Sequence, residues 1–114
     1  MDMLYTAIGF LALTAVLGMV LITFVLPGKE TPKAVVFSHG FLAVIGLILL
    51  IIYSVKQAPG PIESIILFAI AALGGVVMVW RDLTRRPVPK WLAVVHGLLA
   101  IAGLVFLLIF ASLK

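Results

Sequence analysis

The chain has no cysteine and very little charge. Its 114 residues include no cysteine, and only 11% of them are charged. The lack of cysteine excludes disulfides, thiolate catalysis, iron–sulfur clusters and covalently attached c-type haem. The scarcity of charge excludes a soluble domain, because a small domain leaves too much surface in water to hide 65% hydrophobic residues. The sequence therefore predicts a protein that contacts the lipid bilayer, and a net charge of +4 that serves topology rather than nucleic-acid binding.

Apolar runs long enough to cross a bilayer occupy almost the whole chain. A transmembrane helix needs about 20 apolar residues, and four such runs lie at about 3–26, 34–55, 62–80 and 91–113. The connectors are short and rich in proline and glycine, so each span lies antiparallel beside the one before it. The predicted fold is all-α, an integral membrane four-helix up-down bundle. It has no space for a catalytic domain, so we expect no enzyme. The first span lacks signal-peptide features, and we expect it to be retained.

Basic residues predict the orientation of the bundle. The connectors at 27–33 and 81–90 hold six of the eight lysines and arginines. The positive-inside rule places such connectors in the cytoplasm. We therefore expect both termini in the periplasm, with the protein in a bacterial inner membrane.

The sequence also contains an internal repeat. Pro-Lys followed six residues later by His-Gly occurs twice, with the histidines at His39 and His96. The two histidines are 57 residues apart, an offset that we call the repeat spacing. At this spacing alanines, glycines and leucines match after the histidines, and alanines, a glycine and a valine match in the preceding spans. The sequence thus predicts two tandem parallel helical hairpins, residues 1–57 and 58–114, that together form one domain. A pseudo-twofold axis along the membrane normal would relate them and put both histidines at one depth.

The two histidines are the candidate metal ligands. His39 and His96 are the only histidines in the chain, and ionisable residues inside a membrane usually face the bundle interior and mark function. Spans two and four would be diagonal neighbours, with axes roughly 11 to 14 Å apart. Two imidazoles that reach inward from such helices can ligate one metal from opposite sides. This arrangement is typical of a six-coordinate haem b.

Small residues next to the histidines favour a flat macrocycle. Alanine follows each histidine at the fourth position and glycine at the seventh, which are spacings on one helical face. On the neighbouring spans, glycines are expected at the same depth. The resulting candidate cofactor contacts are Ala43, Gly46, Ala100 and Gly103, together with Gly18 and Gly75. Small residues at these spacings also let membrane helices pack closely without any ligand.

Basic side chains at the nearer rim are candidate partners for haem propionates. They are Lys33, Arg81 and Lys90, with Arg85 as a further candidate. Topology and headgroup contact explain the same residues equally well. We expect the second ring nitrogens of the histidines to contact the carbonyls of Val35 and Leu92, one turn earlier.

Two imidazole ligands leave no open position on the iron, so the predicted function is electron transfer rather than chemistry on a substrate. At the level of architecture, the chain resembles the two-histidine haem anchors of respiratory complexes, such as that of succinate dehydrogenase. That resemblance covers only the plan of four helices with paired histidines. It implies a larger respiratory or photosynthetic complex, or another redox partner, and it makes a quinone a candidate partner.

Other functions stay open or are excluded by particular residues. A structural accessory subunit, whose histidines only form internal hydrogen bonds and which binds no cofactor, is the main alternative. Chlorophyll-type pigment binding is a further alternative, although the position four residues before each histidine is Val35 or Leu92 rather than alanine. A small multidrug transporter needs a carboxylate inside the membrane, and all four acidic residues lie near span ends or in connectors.

Overall fold

The computed structural model describes residues 2–114, and four α-helices account for most of them. The helices are α1 (Asp2–Val25), α2 (Lys33–Lys56), α3 (Ile62–Leu83) and α4 (Lys90–Ser112). All four are long and apolar enough to cross a membrane. The prediction of an all-α chain with four apolar helices is confirmed. The third helix continues to Leu83, three residues beyond the predicted end of its span.

The extension of α3 follows from the way this helix ends. Arg85 adopts the left-handed conformation, with φ 61°, and two backbone hydrogen bonds close the last turn: Arg85 N to Asp82 O (3.2 Å) and Arg86 N to Arg81 O (2.8 Å). This bonding pattern is the Schellman motif. Because helix-compatible side chains precede it, α3 continues past the apolar run until the left-handed residue stops it.

The same motif ends α1. Gly28 has φ 78°, a conformation that costs glycine little because it has no Cβ. Gly28 N donates to Val25 O (3.1 Å), and Lys29 N donates to Phe24 O (2.8 Å). Each of these positions precedes its counterpart at the end of α3 by the repeat spacing, so the two connectors leave their helices in the same way.

The helices pack as a closed ring of four. The α1–α2 and α3–α4 pairs contact each other most extensively, and the α1–α4 and α2–α3 seams are thinner. Within the described residues, α2 and α4 share no close backbone contact and neither do α1 and α3, so each of these pairs is diagonal. The bundle is thus two tight hairpins joined along two thin seams.

Polar residues gather at the two ends of the bundle. The end that we call the basic rim carries residues 26–33 and 81–90, and the opposite rim carries Asp2, residues 56–63 and the C-terminus. The main hydrophobic cluster lies in the half toward the opposite rim. Its members are Leu4, Ala7, Leu11, Leu50, Tyr53, Phe68, Leu107 and Ala111.

Buried positions recur at the repeat spacing. Leu11 and Phe68 are both buried, and so are Leu50 and Leu107. The other buried helical pairs at this spacing are Ala7 with Ser64, Thr14 with Ala71, Val36 with Ala93 and Gly46 with Gly103. Corresponding residues of the two hairpins therefore face the interior in the same way.

Candidate functional site

Each histidine is held by a backbone carbonyl of the partner helix in its own hairpin. His39 on α2 donates from Nδ1 to the carbonyl oxygen of Thr14 on α1, at 2.8 Å. His96 on α4 donates from Nδ1 to the carbonyl oxygen of Ala71 on α3, at 2.6 Å. Thr14 and Ala71 are themselves related by the repeat spacing, so the two bonds occupy corresponding places. Carbonyl oxygens only accept, which makes Nδ1 the donor in both bonds.

These acceptors correct one expectation from the sequence. The predicted acceptors are the carbonyls of Val35 and Leu92, four residues before the histidines, and that prediction is wrong. Within a helix those carbonyls accept the backbone N–H groups of His39 and His96 themselves. The imidazole instead points away from its own helix and reaches a carbonyl on the neighbouring one.

Two glycines let the imidazoles approach the neighbouring backbone. Gly18 and Gly75 lie four residues after the accepting carbonyls, where a side chain would cover the approach. A Cβ built on Gly18 would lie 3.0 Å from His39 Cε1, and one on Gly75 would lie 3.2 Å from His96 Cε1. Both distances are tighter than ordinary contacts. The two glycines therefore lie at the depth of the histidines, as their spacing predicts.

The two imidazoles meet across the bundle. Their ring centroids are 6.1 Å apart and their planes are inclined by 68°. They belong to α2 and α4, which are diagonal helices without close backbone contact. The histidine side chains span this diagonal. Both rings are half-buried.

The hydrogen bonds select one tautomer of each histidine. Since Nδ1 carries the proton, the neutral imidazole has an unprotonated Nε2 with a free lone pair. Within residues 2–114, the hydrogen bonds of both rings are made by Nδ1 alone. A histidine whose Nδ1–H is held by a backbone carbonyl and whose Nε2 is free has the arrangement that metal-binding histidines commonly show. Each ring thus has one nitrogen that could bind a metal.

The donor set suits a metal that brings most of its own ligands. Among the described residues, no group of three or more histidine, cysteine, aspartate or glutamate side chains lies close enough to hold an ion. A structural zinc site takes four protein ligands and a catalytic one takes three. Two imidazoles could hold a metal whose remaining ligands come from outside the chain, for example from a macrocycle.

The small residues that follow each histidine differ in what they contact. Gly46 packs under Leu11, where a Cβ would lie 2.8 Å from Leu11 Cγ, and Gly103 packs under Phe68, where a Cβ would lie 3.1 Å from Phe68 Cε1. These two glycines therefore hold helices close within each hairpin. Ala43 and Ala100, one turn nearer the histidines, are only partly buried.

The predicted propionate partners differ from one another in what they contact. Lys33 Nζ lies 2.8 Å from Asp82 Oδ2 and donates to Thr31 Oγ1 at 2.9 Å. Arg81 Nε donates to the carbonyl oxygen of Pro87 at 2.8 Å. Lys90 is exposed. The Lys33 ammonium is thus shared with an acidic residue, whereas the Lys90 ammonium extends from the rim.

Two features of the site are not visible in the sequence. The accepting carbonyls of Thr14 and Ala71 have no side-chain signature, and their one signal is the glycine four residues later in each hairpin. The Lys33–Asp82 ion pair joins residues that are far apart along the chain, and nothing local to either of them indicates it. The chain matches no protein-family model, no curated protein and no solved structure.

Proposed function

We propose that the protein is a membrane b-type cytochrome in which one haem b is ligated by His39 and His96. The observation that carries this proposal is the meeting of two imidazoles from diagonal helices, each with its Nδ1–H held by a carbonyl and its Nε2 free. Such a pair could hold the iron of a single haem from its two sides.

The separation of the rings supports the same ligand. A metal–imidazole nitrogen bond is about 2.0 to 2.1 Å long, so two imidazoles that share one metal from opposite sides hold their centroids about 6 Å apart. The observed separation is 6.1 Å. The helices also bury few residues on the histidine side: within the described residues, α1 has no buried residue after Thr14 and α3 has none after Ala71.

Such a haem would carry electrons. With His39 and His96 as its protein ligands, the haem would supply a one-electron couple rather than an open site for a substrate. Gly18 and Gly75 keep the imidazoles in place, and Arg81 and Lys90 are the candidate cations for the propionates. Our proposal includes a partner in a respiratory or photosynthetic complex. For a quinone partner, the apolar groove beside His39, lined by Phe37, Ser38, Phe41 and Val79, is the candidate position.

The test is the visible spectrum of the purified protein, oxidised and then reduced with dithionite. We expect a Soret band and a sharp α band on reduction. His39→Leu and His96→Leu should each remove the low-spin bis-histidine spectrum, because either change leaves the iron one axial ligand short. Thr14→Ala is the matched control: it keeps the carbonyl that accepts from His39, and position 71 is already alanine. Its spectrum should equal that of the parent protein.

A colourless protein that does not take up added haem would contradict the proposal and favour a structural subunit whose histidines only pin the two hairpins. A haem spectrum that is indifferent to both histidine substitutions would reject this ligand pair. Binding of a chlorophyll-type pigment at each histidine would appear as two pigments per chain and no dithionite-reduced α band.

We further propose that the two hairpins are tandem repeats that cross an inner membrane with the basic rim in the cytoplasm. The equal spacing of caps, buried positions and histidine hydrogen bonds supports the repeat. The basic connectors support the orientation. Because the chain has no cysteine, single cysteines at Lys29 and Lys56 can be tested with a membrane-impermeant thiol reagent in intact cells. Labelling of Lys56→Cys but not Lys29→Cys is expected, and the reverse would contradict the orientation.

A further inference from the structure

The cationic excess of the chain lies at one rim. The basic rim holds Lys29, Lys33, Arg81, Arg85, Arg86 and Lys90 against Glu30 and Asp82, whereas the opposite rim balances Lys56 and Lys114 with Asp2 and Glu63. Within residues 2–114, the one salt bridge is that between Lys33 and Asp82. Lys29, Arg85, Arg86 and Lys90 are exposed. The rim therefore presents cations that the chain itself leaves largely uncompensated.

This rim has a defined shape. Arg81 Nε is bonded to the carbonyl of Pro87 at 2.8 Å, and the Arg86 guanidinium carbon lies 5.0 Å from the centroid of the Trp80 ring. The backbone of both connectors is closed by the hydrogen bonds that end α1 and α3. The cations accordingly extend from an ordered surface, which is what recognition of a particular partner requires.

The histidines lie close to this rim and far from the other one. His39 is six residues from Lys33 and 17 from Lys56, or about 9 Å and about 26 Å along the helix at 1.5 Å per residue. His96 has the same six-residue distance from Lys90. Because the rate of electron tunnelling falls exponentially with distance, a redox group between the histidines would exchange electrons with water-soluble partners across the basic rim.

We propose that the basic rim is the docking surface for an acidic, water-soluble, one-electron carrier protein. This inference rests on the proposed function. One electron passes between the haem iron and the oxidised or reduced centre of the carrier, so that one gains what the other loses, and no bond or proton is transferred. Anionic lipid headgroups would also be attracted to these cations. The cationic rim is, however, also the rim nearer to the histidines, and this favours a redox partner. Complementary charge of this kind steers association.

The first experiment measures binding without any haem. The probe is a fluorescent octaglutamate peptide, and the protein is the full chain in nanodiscs of zwitterionic lipid, where both rims face water. We expect binding that weakens with salt. Lys29→Glu with Arg86→Glu should lower the affinity at least about tenfold, whereas the matched pair Lys56→Glu with Lys114→Glu should leave it unchanged. The double variant His39→Leu and His96→Leu should bind the peptide as the parent does.

The second experiment measures electron transfer in the haem-loaded protein. Ferrous protein is mixed with ferricyanide, which takes one electron and becomes ferrocyanide while the iron becomes ferric. The rate constant should fall about tenfold in the Lys29→Glu and Arg86→Glu variant, and its salt dependence should disappear. The Lys56→Glu and Lys114→Glu variant should react at the parental rate. Intact parental spectra would show that both variants fold around the site.

Equal binding and equal rates in the two double variants would overturn the docking surface while leaving the haem assignment untouched. A Lys29→Glu and Arg86→Glu variant that loses its enrichment of anionic lipid in mixed nanodiscs but keeps its affinity for the peptide would also overturn it, since the rim would then be a headgroup site. A protein that binds the peptide at the basic rim but takes up no haem would keep the cationic surface and contradict the function on which the proposal rests.

Discussion

The two halves of the bundle differ in how many of their residues are buried. Toward the opposite rim, Leu4, Leu50 and Leu107 are completely buried, and Tyr53 meets Phe110 edge-on with centroids 6.3 Å apart. Beyond the histidines toward the basic rim, the described helices bury only Val36 and Ala93. The half toward the opposite rim, which we call the packed half, therefore buries most of the apolar side chains, whereas the half toward the basic rim, the histidine half, contains the two imidazoles and the Lys33–Asp82 ion pair.

The largest expected effect tests the packed half. Leu50→Ala and Leu107→Ala should each lower the free energy of unfolding by about 2 to 5 kcal/mol, because each leaves a cavity among fully buried neighbours. Val36→Ala, on the histidine side, should cost less than about 2 kcal/mol, since fewer buried methyl groups are removed. Unfolding of the purified protein in mixed micelles with SDS measures these losses. Equal costs in the two halves would break the comparison.

A smaller effect tests how the histidine half is organised. Gly18→Ala and Gly75→Ala should each cost about 1 to 3 kcal/mol, because the new methyl group pushes against the imidazole and strains its bond to the carbonyl. Gly9→Ala is the control, since a Cβ there meets nothing within 4 Å. It should be neutral or stabilising by up to about 1 kcal/mol. The nitrogen chemical shifts of the imidazoles, measured by NMR, should also change in the first two variants. If Gly18→Ala and Gly9→Ala had the same effect on the free energy of unfolding, the absence of a side chain at Gly18 would not be what admits the imidazole.

The next effect concerns the C-terminal ends of α3 and α1 at the basic rim. Arg85 adopts a left-handed conformation that a residue with a Cβ enters at a cost of about 1 to 2 kcal/mol. Arg85→Gly should therefore stabilise the protein by about 1 kcal/mol, and Gly28→Ala, at the corresponding position of the first hairpin, should destabilise it by a similar amount. SDS unfolding curves check both changes. A destabilised Arg85→Gly protein would mean that the Arg85 side chain contributes more than its backbone costs.

The smallest effect concerns the Lys33–Asp82 ion pair, which joins the two hairpins at the basic rim. The side chains of Lys33 and Asp82 are 36% and 20% exposed, so water screens much of their attraction. A double-mutant cycle with Lys33→Gln and Asp82→Asn should give a coupling of about 1 kcal/mol or less, falling as salt is added. A coupling of several kcal/mol would mean that the histidine half is held together as firmly as the packed half.

Much of the fold could be predicted from composition, because four apolar runs separated by proline and glycine allow few arrangements. The end of α3 could not, since Arg81, Asp82 and Leu83 are compatible with both a helix and a connector, and a left-handed residue without glycine decides the boundary. The facing pair His39 and His96 could be anticipated from the repeat spacing. The same spacing also relates the Schellman motifs that end α1 and α3 and the two histidine–carbonyl hydrogen bonds. Those features depend on backbone geometry, which the sequence does not display.

The contacts of the site were harder to predict than its residues. A side chain can bond to any nearby carbonyl, and the sequence carries no label for the carbonyls of Thr14 and Ala71. The glycines were assigned by spacing alone, which does not separate Gly18, under an imidazole, from Gly46, under Leu11. The position of Lys33 makes it a candidate partner for a haem propionate. Its contact with Asp82 depends on how the two hairpins pack against each other.

The measurement that tests the central claim most directly is a titration of the haem-free protein with haem b, followed by its Soret absorbance. We predict saturation at one haem per chain, with a low-spin spectrum, because His39 and His96 would ligate the same iron. The Leu50→Ala variant, altered in the packed half, should bind with the same stoichiometry. No uptake, or two haems per chain bound independently at the two histidines, would contradict the account.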